Sequence, residues 1–285
     1  MTDKKVCFEM LRKLSFCFIV MLLVASGFSN AHANERTHLE GQFIQGGMIL
    51  GTTEVDAKVV FQDRLLPLTD DGKFVFGFHR DSPDKDQLKI TYADGHEEVI
   101  DLTIKQREYK IQRIDGLPPK KVTPPEEVLA RIRDDNAQVA KARAHITDEA
   151  WYLETFIWPS KGPISGVYGS QRILNGQPRQ PHYGIDIAAP VGTPVYAPAS
   201  GIIRLAHPDM YYSGGTLFLD HGHGLMSAFL HLDKIHVKEG QFVKQGDLVA
   251  DIGKTGRVTG AHLDWRINWH NNRLDPAFFV PPMDE

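Results

Sequence analysis

Short apolar segments alternate with turn residues along most of the chain, a pattern that favours β structure. Residues 40–116 contain three runs rich in β-forming residues, at 59–61, 74–76 and 88–92. Asp71-Gly72 and Asp94-Gly95 lie between such runs and suit tight hairpins, because both residue types tolerate positive φ. We therefore predict a small antiparallel β-sandwich, Ig-like in architecture, over residues 40–116.

A linker and one helix are predicted for residues 117–150. Consecutive prolines at Pro118 and Pro119 interrupt regular structure, and Thr123 with Glu126 three residues later has the spacing of a helix-capping box. The helix is expected to run to about His145, with its charged residues facing water. From residue 151 to 285, glycine punctuates many short apolar runs, which predicts a further all-β domain.

The first 33 residues have the pattern of an export signal. Basic residues precede an almost uncharged apolar run of about 15 residues, which is shorter than the ~20 that a membrane-spanning helix needs. Ala31-His32-Ala33 then offers the small residues that a signal peptidase reads. An uncleaved anchor is the alternative. We predict a periplasmic or secreted protein with no stable membrane span after cleavage of residues 1–33.

Charge and cysteine content narrow the possible chemistry. The net charge of −4 gives no electrostatic footprint for nucleic acid, so no such partner is predicted. Both cysteines, Cys7 and Cys17, lie in the predicted signal segment. A metal site in the mature chain must therefore use nitrogen and oxygen ligands, and thiol nucleophiles are excluded.

Histidine and aspartate recur at short spacing in the C-terminal third. Side chains two apart share one face of a strand, so His182, Gly184 and Asp186 are expected to point the same way, and the glycine leaves an open space that an ion could fill. His262 and Asp264 have the same relationship, and His231 interrupts an apolar run. Imidazole nitrogen and carboxylate oxygen are ordinary zinc ligands. Each motif alone is a weak signal, since an isolated histidine in an apolar strand is more often a core residue.

Taken together, these segments resemble the lysostaphin-type (LytM-like) zinc metalloendopeptidases, which cut the peptide cross-links of bacterial peptidoglycan. The resemblance covers roughly residues 160–280 and extends to the linking segments Gly192-Thr193-Pro194-Val195, Asp220-His221-Gly222 and Gly253-Lys254-Thr255-Gly256. It implies a barrel-sandwich-like antiparallel β peptidase domain over residues 151–285. It also implies one zinc ion per chain and a peptidoglycan peptide as substrate.

Carried over by position, the resemblance implies His182 and Asp186 as the first two metal ligands. It implies His231 and His262 as catalytic histidines that do not bind the metal. The third family ligand is a histidine two residues after the latter, and this chain has Asp264 there. Whether Asp264 or His262 completes the metal site stays open.

Aspartate at the third position changes the expected metal chemistry. Asp186 and Asp264 together would neutralise a divalent ion and weaken its ability to acidify a bound water. Oxygen ligands also admit manganese or another divalent ion more readily. Sequence alone therefore predicts an altered metal site, with loss of the metal as the alternative. It also predicts that histidine at position 264 raises zinc affinity, provided that the strand geometry is family-like.

The functional hypothesis is a zinc-dependent endopeptidase that hydrolyses peptidoglycan cross-links through a metal-activated water. His231 and His262 would handle the proton and stabilise the developing oxyanion. The alternative is a degenerate, metal-free family member that binds and activates other cell-wall hydrolases as its partners. Asp264 is the residue that favours this alternative.

Two further alternatives come from other classes. The glycine-punctuated strands also resemble biotinyl and lipoyl carrier domains, which share the barrel-sandwich architecture. Such carriers need a modified lysine at a hairpin tip, and the region around Asp220-His221-Gly222 has none. A non-catalytic wall-binding module is the other alternative, and it suits residues 40–116 better than the C-terminal part.

Overall fold

The computed structural model describes residues 36–115 and 124–283. All the described strands and helices belong to one compact unit, Thr37–Glu285. The predicted signal segment, residues 1–33, lies outside the described residues. In the part of the chain that is described, no helix is both long and apolar enough to cross a bilayer.

The first part of the unit is built from short antiparallel strands. They are β1 (His38–Gly41), β2 (Met48–Thr52), β3 (Lys58–Phe61), β4 (Arg64–Leu66), β5 (Lys73–Gly77), β6 (Lys85–Thr91), β7 (Glu97–Thr103) and β8 (Ile111–Ile114). One sheet has the order β4-β3-β6-β7 and a second has the order β1-β2-β5. Val59 and Phe61 on β3 lie opposite Ile90 and Leu88 on β6, and all four are buried. The β-rich runs at residues 59–61 and 88–92 thus form this part of the core.

The second part contributes the remaining strands. They are β9 (Ile164–Gly166), β10 (Gln171–Leu174), β11 (Gln177–Pro178), β12 (Ile185–Ala188), β13 (Pro194–Tyr196), β14 (Gly201–Met210), β15 (Gly214–Asp220), β16 (Leu225–Ile235), β17 (Phe242–Val243), β18 (Leu248–Ile252), β19 (His262–Trp269) and β20 (Asn272–Leu274). The main sheet runs β17-β14-β15-β16-β19-β12-β9, and β13, β18 and β20 pair with its members. The prediction of a mainly β, antiparallel fold is confirmed.

Strand β19 lies near the centre of this sheet and separates the core from the polar site. Leu263, Trp265 and Ile267 on one face have no exposed surface, which is the burial expected of core residues. The intervening residues 262, 264 and 266 point to the other face because side chains alternate along a strand. β12 and β16 flank β19, and both pair with it in antiparallel register.

The two parts of the unit share strand pairing and core. β8 pairs in parallel with β10, and the order of that small sheet is β11-β10-β8. The rings of Phe61 and Trp269 lie 5.9 Å apart, and both side chains belong to one buried cluster. The sequence boundaries at residues 40–116, 117–150 and 151–285 stay predictions.

The helix, α1, spans Leu129–Arg143 and follows a single 3-10 turn at Glu126–Val128. It begins later than the sequence suggested, and the expected cap Thr123 lies outside the described residues. A salt bridge of 2.8 Å joins Arg131 to Asp209 at the end of β14. Asp135 accepts a hydrogen bond of 2.7 Å from the backbone N–H of Tyr211. These contacts dock α1 against β14.

A fully buried histidine stabilises the turn after β15. His221 lies 2.8 Å from the carbonyl of Ser200 through Nδ1 and 2.8 Å from the hydroxyl of Ser227 through Nε2. Burial lowers the pKa of His221 from 6.5 to about 4. As the pH falls, the unfolded chain therefore binds a proton at His221 at a higher pH than the folded chain does.

We expect the free energy of unfolding to fall as the pH drops from 6.5 towards 4, because protonation of His221 favours the unfolded state. The slope for one such group is about 1.4 kcal/mol per pH unit, or about 3 kcal/mol over this interval. Urea unfolding at pH 7, 6 and 5 measures it. His221→Asn should lower stability at pH 7 and flatten the pH dependence, and an unchanged slope in that variant would exclude His221 as a cause.

Candidate metal and catalytic site

Three of the residues singled out in the sequence converge on one point. His182, Asp186 and Asp264 each offer a ligand atom, and these atoms all lie within 4.8 Å of one another. Asp186 on β12 and Asp264 on β19 are direct partners across the two strands. All three residues are buried. The register between β12 and β19 is therefore what brings the two carboxylates together.

His182 reaches the carboxylates from a loop, not from a strand. β12 begins at Ile185, so the expectation that residues 182, 184 and 186 share one strand face is wrong for His182. Its backbone N–H donates to the carbonyl of Ser170 at 2.9 Å, which fixes the loop. Its Nδ1 lies 3.2 Å from the carbonyl of Val167, and this leaves Nε2 directed at the carboxylates.

The donor atoms have the spacing that a small divalent ion needs. Nε2 of His182 lies 3.0 Å from Oδ1 of Asp186 and 3.5 Å from Oδ2 of Asp264. Zinc bonds of about 2.0–2.1 Å at tetrahedral angles place neighbouring ligand atoms about 3.3 Å apart. Nε2 of His182 and Oδ1 of Asp186 are buried and, apart from their contact with the other charged groups of this cluster, have no hydrogen-bond partner among the described residues. Such a pair of donor atoms fits a zinc ion.

Asp264 is held by a neighbour on its own strand. Arg266 donates from Nε to Oδ1 at 2.9 Å and from Nη2 to Oδ2 at 2.5 Å. Each carboxylate oxygen has two lone pairs, so this bidentate contact leaves one lone pair on Oδ2 for a further partner. Arg266 therefore orients Asp264 without using up its capacity as a ligand, and the donor set as a whole fits a metal ion.

The charges in this cluster shift one another's pKa. Burial opposes charge on His182, but Asp264 and Asp186 outweigh it and raise the pKa of His182 to about 9. Burial likewise disfavours the Asp264 carboxylate, yet Arg266 and His182 hold its pKa well below the usual range. Without a metal, His182 is thus a cation at neutral pH, and binding of a metal must displace its proton.

His231 reaches the site through a break in strand regularity. β16 pairs with β15 through Leu232 and then Phe229, with a register shift between them, and His231 has φ of 66°. A bulge of this kind redirects a side chain. Nδ1 of His231 lies 3.0 Å from the carbonyl of Thr255. Burial lowers the pKa of His231 to about 4, so the imidazole is neutral at pH 7.

His262 stands between His231 and the ligand cluster. Its ring centre lies 4.9 Å from that of His231, and its Nε2 lies 3.7 Å from Oδ1 of Asp186. Nδ1 contacts the carbonyl of Gly260 at 3.0 Å. His262 does not belong to the three-residue ligand cluster found among the described residues. The five residues predicted from sequence are therefore brought together, with two imidazoles beside three metal-type donors.

The space beside Gly184 is occupied by protein side chains, which differs from the prediction made from the sequence. The gap beside this glycine was expected to admit an ion, but a Cβ there would lie 2.5 Å from Oδ1 of Asp264 and 2.6 Å from Cγ of Arg266. The ion-pair side chains fill the gap. Position 184 must remain glycine for Asp264 and Arg266 to pack.

Arg266 was not among the residues predicted from sequence. It lies two residues after Asp264 and four after His262, so strand periodicity alone places all three side chains on one face. Arg172 on β10 is a second cation near the cluster, with Nη2 3.8 Å from Oδ2 of Asp186. The sequence signal that could have identified Arg266 is therefore its position two residues after Asp264, on the same face of the strand.

A mainly β fold that gathers a His, two Asp and two further His within an antiparallel sheet is typical of a β-sheet metallopeptidase. Residues 180–276 match the family model described as Peptidase family M23. Among solved structures, a protein from Pseudomonas aeruginosa described as a putative peptidase M23 is 30% identical, with a TM-score of 0.64, over 84% of this chain and 95% of that one. The chain belongs to the M23 peptidase family, as its resemblance to the lysostaphin-type enzymes predicted.

Curated relatives match over a shorter region. Peptidoglycan DD-endopeptidase ShyB of Vibrio cholerae is 43% identical over 97 residues, which are 33% of this chain and 22% of the relative. Cell division protein DipM of Caulobacter vibrioides is 33% identical over 127 residues, 45% of this chain and 20% of that protein. The chain therefore spans about a fifth of the length of these relatives.

Proposed function

We propose that this protein is a zinc-dependent endopeptidase that hydrolyses the peptide cross-links of bacterial peptidoglycan in the periplasm or outside the cell. The observation that carries the proposal is the convergence of His182, Asp186 and Asp264, with donor atoms within 4.8 Å of one another. Family membership and the peptidoglycan DD-endopeptidase relatives support the substrate class.

The chemistry follows from the donor set and the two neighbouring imidazoles. His182, Asp186 and Asp264 would hold the ion, which supplies Lewis-acid polarisation of a water and of the scissile carbonyl when bound. His231 is neutral at pH 7 and can accept a proton. His262 lies beside it, and since its Nδ1 faces the carbonyl of Gly260, its Nε2 can donate a hydrogen bond to the developing oxyanion once the ring has taken up a second proton. Thr255 fixes the ring of His231 through its carbonyl.

Metal content and digestion of purified peptidoglycan, measured on the same preparation, test the proposal. We expect one zinc per chain by mass spectrometry together with released peptides. A protein that stays metal-free after incubation with zinc and releases no peptide would refute it.

Asp264→Ala should strip the metal, because it removes one of three ligands and leaves Arg266 as an uncompensated, partly buried cation. The loss is expected to exceed about 100-fold in zinc affinity. Asp251→Ala is the matched control, since Asp251 pairs with His236 at 3.0 Å and belongs to a different cluster. Full zinc occupancy in Asp264→Ala would exclude Asp264 as a ligand.

The contact between Arg266 and Asp264 favours a second candidate. A guanidinium already contacts both oxygens of this carboxylate, as a structural ion pair would in a protein without metal. The second candidate is a metal-free family member that binds and activates other cell-wall hydrolases. It predicts no zinc and no intrinsic digestion, but faster digestion when a partner hydrolase is added.

A further inference from the structure

Arg266 is in direct contact with one of the three proposed metal ligands, Asp264. Its guanidinium makes two contacts with Asp264, and its side chain lies on the same face of β19 as His262. A guanidinium stays protonated in proteins, and its Nη2 lies 2.5 Å from Oδ2 of Asp264. The pair therefore places a cation and a carboxylate beside the other two donors.

The charge of the cluster depends on this pair. With a metal bound, His182 is neutral, Asp186 and Asp264 each contribute −1, and Arg266 contributes +1. The sum over the three ligands and Arg266 is −1, whereas the ligands without this arginine would give −2; Arg172, 3.8 Å from Asp186, adds the same charge in both cases. A site with histidine at position 264 and no arginine would also have a sum of −1. Arg266 thus cancels the charge that aspartate adds relative to histidine.

We propose that Arg266 acts through Asp264 by balancing its charge, so that Asp264 becomes a net neutral third ligand. The inference rests on the proposed zinc-dependent function. The guanidinium contacts both oxygens of Asp264, and its charge keeps the ion from being neutralised by two carboxylates. The expectation that Asp264 weakens the Lewis acid is therefore replaced by one in which Asp264 and Arg266 act together.

The location of the pair supports this role over a purely structural one. A second buried aspartate, Asp220, pairs with Arg204 at 3.0 Å, but it lies opposite Met226 on β16, away from the ligand cluster. Asp264 instead lies opposite Asp186 and 3.5 Å from Nε2 of His182. Arg266 thus contacts a carboxylate of the donor set at hydrogen-bond distance, whereas Arg172 stays 3.8 Å from Asp186, and Arg204 with Asp220 is a matched pair outside the donor set.

Zinc dissociation constants of four purified full-length proteins test the proposal, measured by competition with a chromophoric chelator at pH 7.5. They are the wild type, Asp264→His, Arg266→Gln and the double variant. Asp264→His should bind zinc about 100-fold more weakly, because an unpaired guanidinium then faces the ion. The double variant should return to within about tenfold of the wild type, and Arg266→Gln should bind at least as tightly as the wild type, since charge decides affinity.

A purely structural clamp predicts the opposite order. Arg266→Gln would then bind zinc about 10–100-fold more weakly, and Asp264→His would bind as tightly as the wild type because it restores the family ligand. That order overturns the inference while leaving a zinc enzyme in place. A wild type that binds no zinc overturns the proposed function and the inference together.

Two controls separate charge from folding. Arg266→Lys keeps the cation and should hold zinc affinity within about tenfold of the wild type. Arg204→Gln removes the matched arginine and should leave zinc affinity unchanged. Circular dichroism and thermal melting of the metal-free proteins check that each variant is folded. If Asp264→His does not fold, Arg266→Gln still gives opposite results under the two roles, tighter or equal binding against weaker binding.

Discussion

Replacing His231 with alanine is expected to lower peptidoglycan cleavage by about 10²–10⁴-fold while zinc content stays near one per chain. His231 lies outside the ligand cluster, and its neutral imidazole is the group placed to accept a proton. The measurement is the rate of peptide release from purified peptidoglycan, with zinc determined on the same sample. Loss of zinc in this variant would instead make His231 a structural support of the metal site.

The backbone at His231 requires a second variant. Its φ of 66° lies in the left-handed region, which asparagine tolerates better than alanine does. His231→Asn should therefore fold at least as well as His231→Ala and be as inactive. His236→Ala is the matched control, because His236 pairs with Asp251 and is more exposed, with 35% of its side chain accessible. Cleavage by His231→Asn at the wild-type rate would remove His231 from the mechanism.

Replacing Gly184 with alanine is expected to disrupt both the fold near the site and zinc binding. The added Cβ would lie 2.5 Å from Oδ1 of Asp264 and 2.5 Å from the backbone carbonyl of Trp265. Because Trp265 is fully buried in the core, its backbone cannot move aside freely. The cost is about 1–3 kcal/mol of unfolding free energy, as in other overpacked cores, and about a 100-fold loss of zinc affinity.

Gly260→Ala is the control for Gly184→Ala. A Cβ at position 260 meets no atom within 4 Å, although this glycine precedes His262 by two residues. Denaturant unfolding and zinc titration of the two variants should therefore differ clearly. Equal stability and equal zinc affinity in both would show that the chain before β12 shifts to accommodate the extra methyl group.

The fold was predictable where runs of β-forming residues lie between turn signals. The runs at residues 59–61 and 88–92 and the turn at Asp94-Gly95 predicted strands and a hairpin, and β6 and β7 form that hairpin. The predicted start of the helix was too early. The capping-box spacing of Thr123 and Glu126 predicted a helix that begins just after Thr123, whereas Glu126–Val128 form a 3-10 turn and the helix begins at Leu129. Local signals fix element type better than element boundaries.

The site was predictable as a set of residues but not as an electrostatic unit. The motifs identified His182, Asp186 and Asp264, yet the loop placement of His182 depends on a hydrogen bond to Ser170 that no spacing rule contains. The role of Arg266 depends on which way its long side chain turns along β19. Strand periodicity gives its face, and only the packing around Gly184 gives its partner.

Because β8 pairs with β10, the part of the chain that follows residue 150 depends on the preceding part for one of its strand pairings. Arg80 donates from Nε to the carbonyl of Gly169, whose own N–H donates to the carbonyl of His182 at 2.7 Å. A fragment starting at residue 151 would lack β8 and Arg80, leaving one edge of β10 unpaired close to His182. Such an edge invites strand addition from another chain. That fragment is therefore expected to self-associate, and its cleavage rate would depend on its own concentration.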